Sequence, residues 1–527
     1  MRPLLPLIGY AAALVGGTYL AYRPVFDSGF ALVQAETGDG MLNHYLLEHS
    51  WLSLTDPGYA GSLTRPPFFH PERWAWWYSE TLIGAAPIYW ALRTVTDDQL
   101  AYSWWMIACS GLNFVSFAVV ARRLGCSHTA AALGALGFAF LAVVTEQQKH
   151  QQLIPRFWMP PAVYYAWLLG SAPSPRALGR MLACLALQGV TCVYTGWFLG
   201  VGLVTFVPLA AALTPGGLRK LLTFARTDWK PALVAAAPGV AALAAFFAPY
   251  LLVNRGYSRD YYDSLYLTPS AAGWLTPAKG TPWSGAAEAV LPVVSFECWL
   301  FPGFAAVALV VAAGWWVRRD PTAPGRPLAA ACLVTAVVWA VLCSRVGGTS
   351  PWALVQYVPG AGAIRCVGRV VLLVDLFAAL AVAVWLTNAL GSLGARWRVA
   401  AVAGLVVVVG AEQLGHEPPL TLRADYYPEV DRWAERVRGA DAAYVVPRPR
   451  FSQEYEEVFA MWVGLRANVP VVNGYSGRHP AGFPLEYAAG VTDFDATVRA
   501  WLAGRFRGRV VVIDRADPGR RRELVIE

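Results

Sequence analysis

The residues best suited to chemistry lie around a glycine-flanked carboxylate near the start of the chain. Gly38 and Gly40 enclose Asp39, so the backbone can turn sharply there and present the carboxylate. Glu36 supplies a second carboxylate three residues earlier. Such groups can act as a general base toward a sugar or protein hydroxyl, or can bind Mg²⁺ or Mn²⁺. The alternative is that Asp39 only caps a helix.

Two arginines form a second candidate group at the outer end of an apolar segment. Arg365 and Arg369 are four residues apart, so a helix would place them on one face. Guanidinium groups bind pairs of phosphate oxygens, which makes a lipid-linked phosphate the expected ligand. The apolar segment that follows contains Asp375. A carboxylate inside the membrane indicates a functional site unless it only pairs with a neighbouring helix.

A short outer connection and the first outer loop add further cations. Glu146, Lys149, His150 and Arg156 lie close together in the connection. We predict that Lys149 and His150, together with Arg73 from the first outer loop, contact a donor phosphate. The alternative is the ordinary placement of cationic side chains at a membrane surface.

Aromatic residues beside Arg73 are candidates for binding a sugar or an acceptor. They are Trp74, Trp76 and Trp77. Aromatic rings stack on the C–H surfaces of sugars, which supports this assignment. The same side chains also anchor loops at the lipid interface, which is the alternative.

The composition indicates a polytopic membrane protein. Of the 527 residues, 56% are hydrophobic, and the mean hydropathy is +0.42. The 23 Trp and 23 Tyr residues suit aromatic belts at two lipid interfaces. The net charge of +8 does not indicate nucleic-acid binding, because the basic residues concentrate in connections on one side of the predicted spans.

The cysteines indicate neither a zinc site nor a disulfide framework. Most of the eight lie in apolar runs, and none has CxxC spacing. Cys298 and Cys366 both fall near predicted outer helix ends, so a disulfide between them is the one pairing that the sequence suggests.

Apolar segments predict a mainly α-helical bundle of about eleven transmembrane spans. The segments are 3–22, 100–121, 129–145, 155–170, 179–195, 197–213, 231–252, 298–317, 328–344, 367–390 and 399–411. The run 180–213 is too long for one span, and residues 194–196 are the predicted break. Residues 81–93 are apolar but short and contain Pro87, so we predict an interfacial or re-entrant helix there.

Charge asymmetry predicts a cytoplasmic N-terminus. In this orientation the cytoplasmic connections hold thirteen Lys or Arg residues and two acids, whereas the outer segment 23–99 holds nine acids and four bases. The first apolar run lacks a small-residue cleavage site after it, which predicts an uncleaved anchor. The sequence thus predicts a multi-pass protein of a plasma (inner) membrane.

The composition changes after residue 411. Residues 412–527 hold seventeen acids and sixteen bases and no apolar span. Short β-type runs alternate with helix-type stretches, which predicts a small α/β domain after the 1–411 transmembrane module. The predicted strands are Ala442–Pro447, Val469–Asn473 and Arg509–Asp514, and the predicted helices are Tyr427–Arg438, Glu454–Leu465 and Phe494–Leu502. Eleven spans from a cytoplasmic N-terminus place this domain outside the membrane.

This layout resembles the GT-C superfamily of integral membrane glycosyltransferases, which includes protein O-mannosyltransferases and oligosaccharyltransferase catalytic subunits. Residues 38–40, 363–369 and 473–476 are most similar to the YfhO-like bacterial branch. The resemblance implies a polyprenyl-phosphate-linked sugar as donor. It also implies a first-loop carboxylate, here Asp39, as base or metal ligand. The first loop departs from the family pattern because it has no paired acids, which leaves the use of a divalent cation open.

The sequence therefore predicts a glycosyltransferase that moves a sugar from a polyprenyl phosphate to an acceptor hydroxyl on the outer face of the membrane. The acceptor is a glycan, a lipid or a protein. Two alternatives stay open: a lipid-linked saccharide transporter or flippase, and a non-catalytic membrane protein of envelope assembly. A transporter would show repeated halves and broken helices near the membrane midplane. The sequence shows no repeat, and its polar residues concentrate at the outer surface.

Overall fold

The computed structural model describes residues 4–255, 259–292, 294–449, 451–485 and 491–527, and most of these residues are helical. The helices up to residue 253 are α1 (Leu4–Ala21), α2 (Arg23–Asp27), α3 (Asp39–Thr55), α4 (Ala86–Arg93), α5 (Asp98–Arg123), α6 (His128–Phe140), α7 (Ala142–Gln147), α8 (Met159–Ser171), α9 (Pro175–Thr191), α10 (Val193–Leu213), α11 (Gly217–Thr227) and α12 (Trp229–Val253).

The next part of the chain alternates short outer helices with further long ones. These helices are α13 (Tyr261–Leu265), α14 (Ala271–Leu275), α15 (Ser284–Val290), α16 (Phe304–Arg319), α17 (Arg326–Leu342), α18 (Trp352–Val355), α19 (Val371–Gly391) and α20 (Ala395–Gln413). Short 3₁₀ helices at Phe296–Cys298 and Val367–Val370 carry residues of the site described below.

The long helices coincide with the predicted apolar segments. Each of the eleven segments overlaps one of the helices α1, α5, α6, α8, α9, α10, α12, α16, α17, α19 and α20. Within the described residues, five stretches are long and apolar enough to cross a membrane: Asp98–Arg123, His128–Gln147, Val193–Leu213, Trp229–Val253 and Val367–Gly391. The prediction of a mainly helical, polytopic membrane protein is confirmed, and the count of eleven spans stays a prediction.

The run 180–213 is divided into two helices as predicted, but the break lies at Cys192 rather than at residues 194–196, and two contacts explain its place. Helix α9 ends at Thr191 and α10 begins at Val193. The Glu80 carboxylate accepts the Val193 N–H at 2.7 Å, which caps the new helix. A Cβ on Gly196 would lie 2.5 Å from the Gly189 Cα, so the two helices meet in direct backbone contact.

The apolar segment 81–93 forms only a short helix. Helix α4 has eight residues and is therefore about 12 Å long, too short to cross a bilayer. It packs against α3 and α5, and the Tyr89 hydroxyl donates to the Glu48 carboxylate at 2.7 Å. The segment thus belongs to the folded first outer loop.

The C-terminal segment contains the helices and most of the strands that the sequence predicts. Its helices are α21 (Arg423–Val437), α22 (Gln453–Ala467) and α23 (Phe494–Leu502). The strands of the described chain are β1 (Leu32–Val33), β2 (Thr421–Leu422), β3 (Ala442–Val446), β4 (Gly508–Asp514) and β5 (Arg521–Ile526). Strand β4 pairs with β3 in parallel and with β5 in antiparallel orientation.

The predicted strand Val469–Asn473 is wrong. Only Val471 forms a bridge to Ala443, and its own N–H donates to the carbonyl of Pro67 in the first outer loop. Pro470 has no N–H to donate, which limits a regular ladder at this place. The segment instead lies between β3 and the first outer loop, and its backbone forms hydrogen bonds with both.

The first outer loop and the C-terminal segment pack closely on each other. Strand β1 of the loop pairs with β2, in the register Leu32 with Leu422. The Trp462 indole N–H of α22 donates to the Met41 carbonyl of α3 at 3.0 Å. The His44 Nδ1 atom lies 2.8 Å from the Tyr427 hydroxyl, so the inner face of α3 is covered by α21 and α22. The boundary at residue 411 stays a prediction.

The suggested disulfide is wrong. Cys298 and Cys366 are both buried free thiols. Instead, the Cys366 thiol donates a hydrogen bond to the carboxylate of Glu297, which accounts for its position.

Candidate functional site

Asp39 occupies the first position of α3, where the sequence places a sharp turn. The Asp39 N–H donates to the Glu36 carboxylate at 2.8 Å, so Glu36 caps the helix that begins at Asp39. A Cβ on Gly40 would lie 2.8 Å from the Ala35 Cβ, which explains the glycine at that position. The Asp39 side chain remains 22% exposed, so one part of its carboxylate is open to a reactant.

A histidine from the second outer connection completes the surroundings of this carboxylate. His150 Nδ1 lies 2.8 Å from Asp39 Oδ2. Burial opposes ionisation of Asp39, but hydrogen bonds from His150 and Tyr475 outweigh it and lower the pKa of Asp39. Burial also opposes protonation of His150, but Asp39 and Glu297 outweigh it and raise the pKa of His150. The geometry therefore favours an imidazolium beside an ionised carboxylate.

Glu297 is the residue of this site that sequence reasoning missed. His150 Nε2 lies 3.7 Å from its Oε1 atom, so the imidazole bridges Glu297 and Asp39. The Arg369 Nη2 and Arg365 Nη2 atoms lie 3.4 and 3.7 Å from its two carboxylate oxygens. Burial would raise the pKa of Glu297, but Arg369 and His150 outweigh burial and hold the pKa well below its usual range. The only sequence signal was an acid in an otherwise apolar and aromatic stretch.

The two predicted arginines converge on Glu297 but differ in exposure. Arg365 precedes the 3₁₀ helix Val367–Val370 and is 50% exposed, whereas Arg369 is only 6% exposed. The Arg369 guanidinium stacks over the Tyr194 ring at 4.3 Å. The pair does not lie on one α-helical face as predicted, because α19 begins only at Val371. Arg365 alone therefore offers an open guanidinium.

Lys149 lies beside this cluster in an aromatic pocket. Its ammonium group is 5.0 Å from the Phe296 ring and 4.8 Å from the Trp299 ring, and it pairs with Glu146. The His150 ring stacks on Phe296 at 6.5 Å. Lys149 and His150 therefore both contact Phe296, and their role in binding a donor phosphate stays a prediction.

Arg156 is placed differently from its predicted neighbours in the second outer connection. It is fully buried, and its Nη2 atom donates to the Phe138 carbonyl at 3.0 Å. Its guanidinium is thus part of the interior of the bundle rather than of the outer surface.

The C-terminal segment contributes two tyrosines to the site. The Tyr475 hydroxyl donates to the Asp39 carboxylate, and the Tyr455 hydroxyl donates to Glu36 Oε2 at 3.0 Å. Burial, followed by the charge of Asp39, raises the pKa of Glu36. The site therefore combines residues from five separate parts of the chain.

A buried network holds the loop that carries Tyr475. The Glu457 carboxylate accepts the Gly474 N–H at 3.0 Å and the Asn473 side-chain N–H at 3.1 Å. A Cβ on Gly474 would lie 2.4 Å from the Phe69 ring, so this position requires glycine. Burial raises the pKa of Glu457 to about 8. The network fixes the direction from which Tyr475 reaches Asp39.

Comparisons with known proteins give similarity in structure but not in sequence. No family model and no curated protein matches the chain. It is similar to the archaeal oligosaccharyltransferase AglB from Archaeoglobus fulgidus in complex with an inhibitory peptide and a dolichol-phosphate. That comparison has a TM-score of 0.47 and 10% identity, and covers 95% of this chain and 69% of that one.

Two structures of ArnT from Cupriavidus metallidurans are also similar. The apo structure gives a TM-score of 0.46 and 12% identity, over 89% of this chain and 87% of that one. The structure bound to undecaprenyl phosphate gives a TM-score of 0.32 and 12% identity, over 90% of this chain and 91% of that one.

The predicted aromatic residues for sugar binding lie in other surroundings. Trp76 is buried against His49, with ring centroids 5.2 Å apart, so its faces are covered. Trp77 packs edge-on against Tyr250 of α12 at 5.3 Å. Trp74 is exposed. The aromatic side chains that line the Asp39 cluster are instead those of the tyrosines, Phe296 and Trp299 described above.

Arg73 is exposed in the first outer loop. Its backbone N–H donates to the Glu72 carboxylate at 2.8 Å, which shapes the local turn. The structure therefore brings Arg365, Arg369, Lys149 and His150 together, and gives Arg73 no recorded contact with them.

An apolar cavity of about 540 Å³ lies beside α19, and its lining includes residues that are close in the chain to members of the Asp39 cluster. Its lining includes Val371, two residues after Arg369, and Leu300, three residues after Glu297. From Val371 to Leu386 the cavity follows α19 for about 22 Å, the greater part of a bilayer's hydrocarbon thickness. Asp375 is a polar member of this lining, and Arg156 is the charge that acts on it electrostatically.

The carboxylates of Asp39 and Glu36 fit a divalent cation poorly. The Asp39 carboxylate already accepts from His150 and Tyr475, and both Glu36 oxygens accept hydrogen bonds. Across the described residues, no group of three or more His, Cys, Asp or Glu side chains is arranged to hold a metal. A role for Mg²⁺ or Mn²⁺ therefore stays a prediction, and no step below uses one.

Proposed function

We propose that this protein is a GT-C-type glycosyltransferase that uses a polyprenyl-phosphate-linked sugar as donor. The observation that carries the proposal is that the apolar cavity along α19 is lined by Val371 and Leu300, which lie two and three residues after Arg369 and Glu297 of the charged cluster. A donor of this class has an isoprenoid tail, a charged phosphate and a polar sugar in sequence. An apolar cavity lined next to the segments that carry guanidinium and carboxylate groups matches that order of chemistry.

The open cation of the cluster is suited to the phosphate. Arg365 is half exposed, and its Nη2 atom lies 3.7 Å from the Glu297 carboxylate, which holds the guanidinium in place without covering it. A planar guanidinium can donate two parallel hydrogen bonds to a phosphate. Lys149, whose ammonium group lies over the Trp299 ring, adds a second positive charge to the site. These charges would stabilise the lipid phosphate as it leaves.

Asp39 is suited to activate the acceptor. In the proposed step the acceptor oxygen bonds to the anomeric carbon, the carbon–phosphate oxygen bond breaks, and the acceptor proton passes to Asp39. Because its pKa is lowered, Asp39 is a weak base toward a free hydroxyl. It therefore accepts the proton as the new bond forms, when the attacking oxygen becomes far more acidic. His150 holds the carboxylate in position throughout.

We further propose that this reaction takes place on the outer face of a plasma membrane. The support is the charge asymmetry of the connections, which predicts a cytoplasmic N-terminus and an extracytoplasmic C-terminal segment. The site is built from the first outer loop, three later outer connections and the C-terminal segment, all assigned to the same side.

The test is a cleavage assay in vesicles that contain the purified protein. The probes are undecaprenyl phosphates that each carry one radiolabelled hexose, with a mixture of saccharides as acceptors. We expect the label to leave the lipid with at least one probe and to appear in a saccharide product. A transporter would move the probe between leaflets with the sugar still attached, and that result would contradict the proposal.

A further inference from the structure

We infer that the acceptor is a saccharide without negative charge, bound against a wall formed by Glu36, Glu454, Tyr455 and Tyr475. This inference rests on the proposed function and names the substrate class of the same site. The wall comes from the first outer loop and from the C-terminal segment, whereas the candidate phosphate groups come from the other outer connections.

Tyr455 offers an aromatic face next to the proposed base. A Cβ on Gly38 would lie 2.8 Å from the Tyr455 ring, so the ring rests directly on the backbone that precedes Asp39. Its hydroxyl is held by Glu36 at 3.0 Å, and the residue is 37% exposed. A ring held on one side and open on the other is suited to stack on the C–H face of a sugar.

Tyr475 sets the inner end of the wall. Its hydroxyl donates to Asp39, and the Glu457 network described above fixes its backbone. A sugar that stacks on Tyr455 would therefore present its hydroxyls toward Asp39 and Tyr475. Tyr475 is a positioning residue in this arrangement, because it orients the carboxylate that takes the proton.

The charge of the wall selects against anionic acceptors. Glu454 is exposed and acts electrostatically on both tyrosines, and Glu36 lies behind Tyr455. The two carboxylates repel a phosphate or sulfate, whereas the exposed Glu454 can accept hydrogen bonds from sugar hydroxyls. The cations of the site lie around Glu297, where the donor phosphate is proposed to bind. A neutral or amino sugar is therefore the acceptor that this wall fits.

The experiment compares acceptor kinetics of Tyr455→Ala and Tyr455→Phe in the vesicle assay. We expect Tyr455→Ala to raise the acceptor KM about tenfold while kcat changes less, because the lost stacking acts on binding. Tyr455→Phe keeps the ring and should retain most of the acceptor affinity. Tyr357→Ala, at another exposed tyrosine, is the matched control. An unchanged acceptor KM in Tyr455→Ala would overturn the inference.

A second variant tests the selection by charge. Each neutral saccharide acceptor is paired with its phosphorylated form, and Glu454→Gln should reduce the preference for the neutral form about fivefold. Preference of the wild-type protein for phosphorylated saccharides, or for peptides, would overturn the inference.

Release of the hexose from the donor to water distinguishes a failure of the acceptor wall from a failure of the proposed function. If the hexose is released and Tyr455→Ala leaves the acceptor KM unchanged, only the acceptor wall is contradicted. If no hexose is released from any donor, the proposed function is contradicted as well.

Discussion

The Nδ1 atom of His150 lies 2.8 Å from the Oδ2 atom of Asp39, although 111 residues separate them in the chain. This contact joins the first outer loop to the second outer connection. Through the other nitrogen of His150 it extends to Glu297 and the two arginines. The carboxylate that the sequence singled out is thus one member of a chain of alternating charges.

Asp39→Asn is expected to abolish sugar transfer while the protein still folds. The amide can still accept from His150, but it cannot take a proton, and loss of a general base typically reduces rates about 10²- to 10⁴-fold. The measurement is the single-turnover rate in the vesicle assay. Asp27→Asn, in the same outer loop but paired only on the surface, is the control. Wild-type rates in Asp39→Asn would remove the proposed mechanism.

The His150–Asp39 pair is expected to make stability depend on pH. The raised pKa of His150 stabilises the fold fully below its ordinary 6.5, and this contribution is lost as the pH rises through the raised value. The lowered pKa of Asp39 contributes above its ordinary 3.8 and is lost as the pH falls through the lowered value. Both groups are therefore charged, and the pair stabilises the fold most, between pH 3.8 and pH 6.5.

The variant His150→Asn isolates this effect. Asparagine can donate a hydrogen bond to Asp39 but carries no charge, so the difference in melting temperature from the wild type should shrink as the pH rises above 6.5. Thermal unfolding in detergent between pH 6 and pH 9 measures it. A difference that stays constant across this range would show that His150 is neutral in the folded protein.

Arg365→Lys is expected to weaken donor binding. Lysine keeps the charge but loses the planar pair of N–H groups, and a charge-assisted hydrogen bond contributes roughly 1.5–3 kcal/mol, or about 10- to 150-fold in affinity. The measurement is undecaprenyl phosphate affinity in detergent. Arg219→Lys, at an exposed arginine of a predicted cytoplasmic connection, is the control.

Arg369→Lys should behave differently from Arg365→Lys. Its guanidinium is buried between Glu297 and the Tyr194 ring, so its replacement is expected to lower the melting temperature. Equal losses of affinity in both variants, with unchanged melting temperatures, would instead support a clamp made of two arginines.

Glu457→Gln is expected to stabilise the protein at neutral pH. The pKa of Glu457 is raised to about 8 by burial, so the folded state keeps a proton between pH 4.5 and 8 that the unfolded state releases. Stability therefore falls across this window by up to about 1.4 kcal/mol per pH unit. The Gln variant lacks this slope. Parallel unfolding curves of the two proteins from pH 5 to pH 8 would contradict the assignment.

Cysteine labelling in intact cells tests the orientation. Native labelling should be low, because all eight cysteines are buried. A membrane-impermeant maleimide should label a cysteine in place of Asp517 and spare one in place of Arg219, since both positions are exposed on opposite predicted sides. The reverse pattern would place the Asp39 cluster on the cytoplasmic face.

The helical bundle follows from local properties of the amino-acid sequence. A bilayer imposes a length and a hydropathy on each crossing segment, and both properties are local. Each predicted apolar segment accordingly overlaps a helix, whereas the exact place of the break at Cys192 depends on the distant Glu80 carboxylate. The turn at Asp39 could also be predicted from the sequence, because Gly38 and Gly40 affect the conformation of the adjacent backbone.

Which side chains meet in the site depends instead on the packing of the whole chain. Local sequence does not assign Glu297 and Tyr475 to the site, since their partners are distant in the chain: Arg369 lies 72 residues from Glu297, and Asp39 lies more than four hundred residues from Tyr475. Exposure likewise depends on packing, which left Arg365 open and buried Arg369 and Trp76. The backbone hydrogen bonds of segment 469–473 are likewise divided between β3 and the first outer loop. Local sequence does not predict this division, because both partners are distant in the chain.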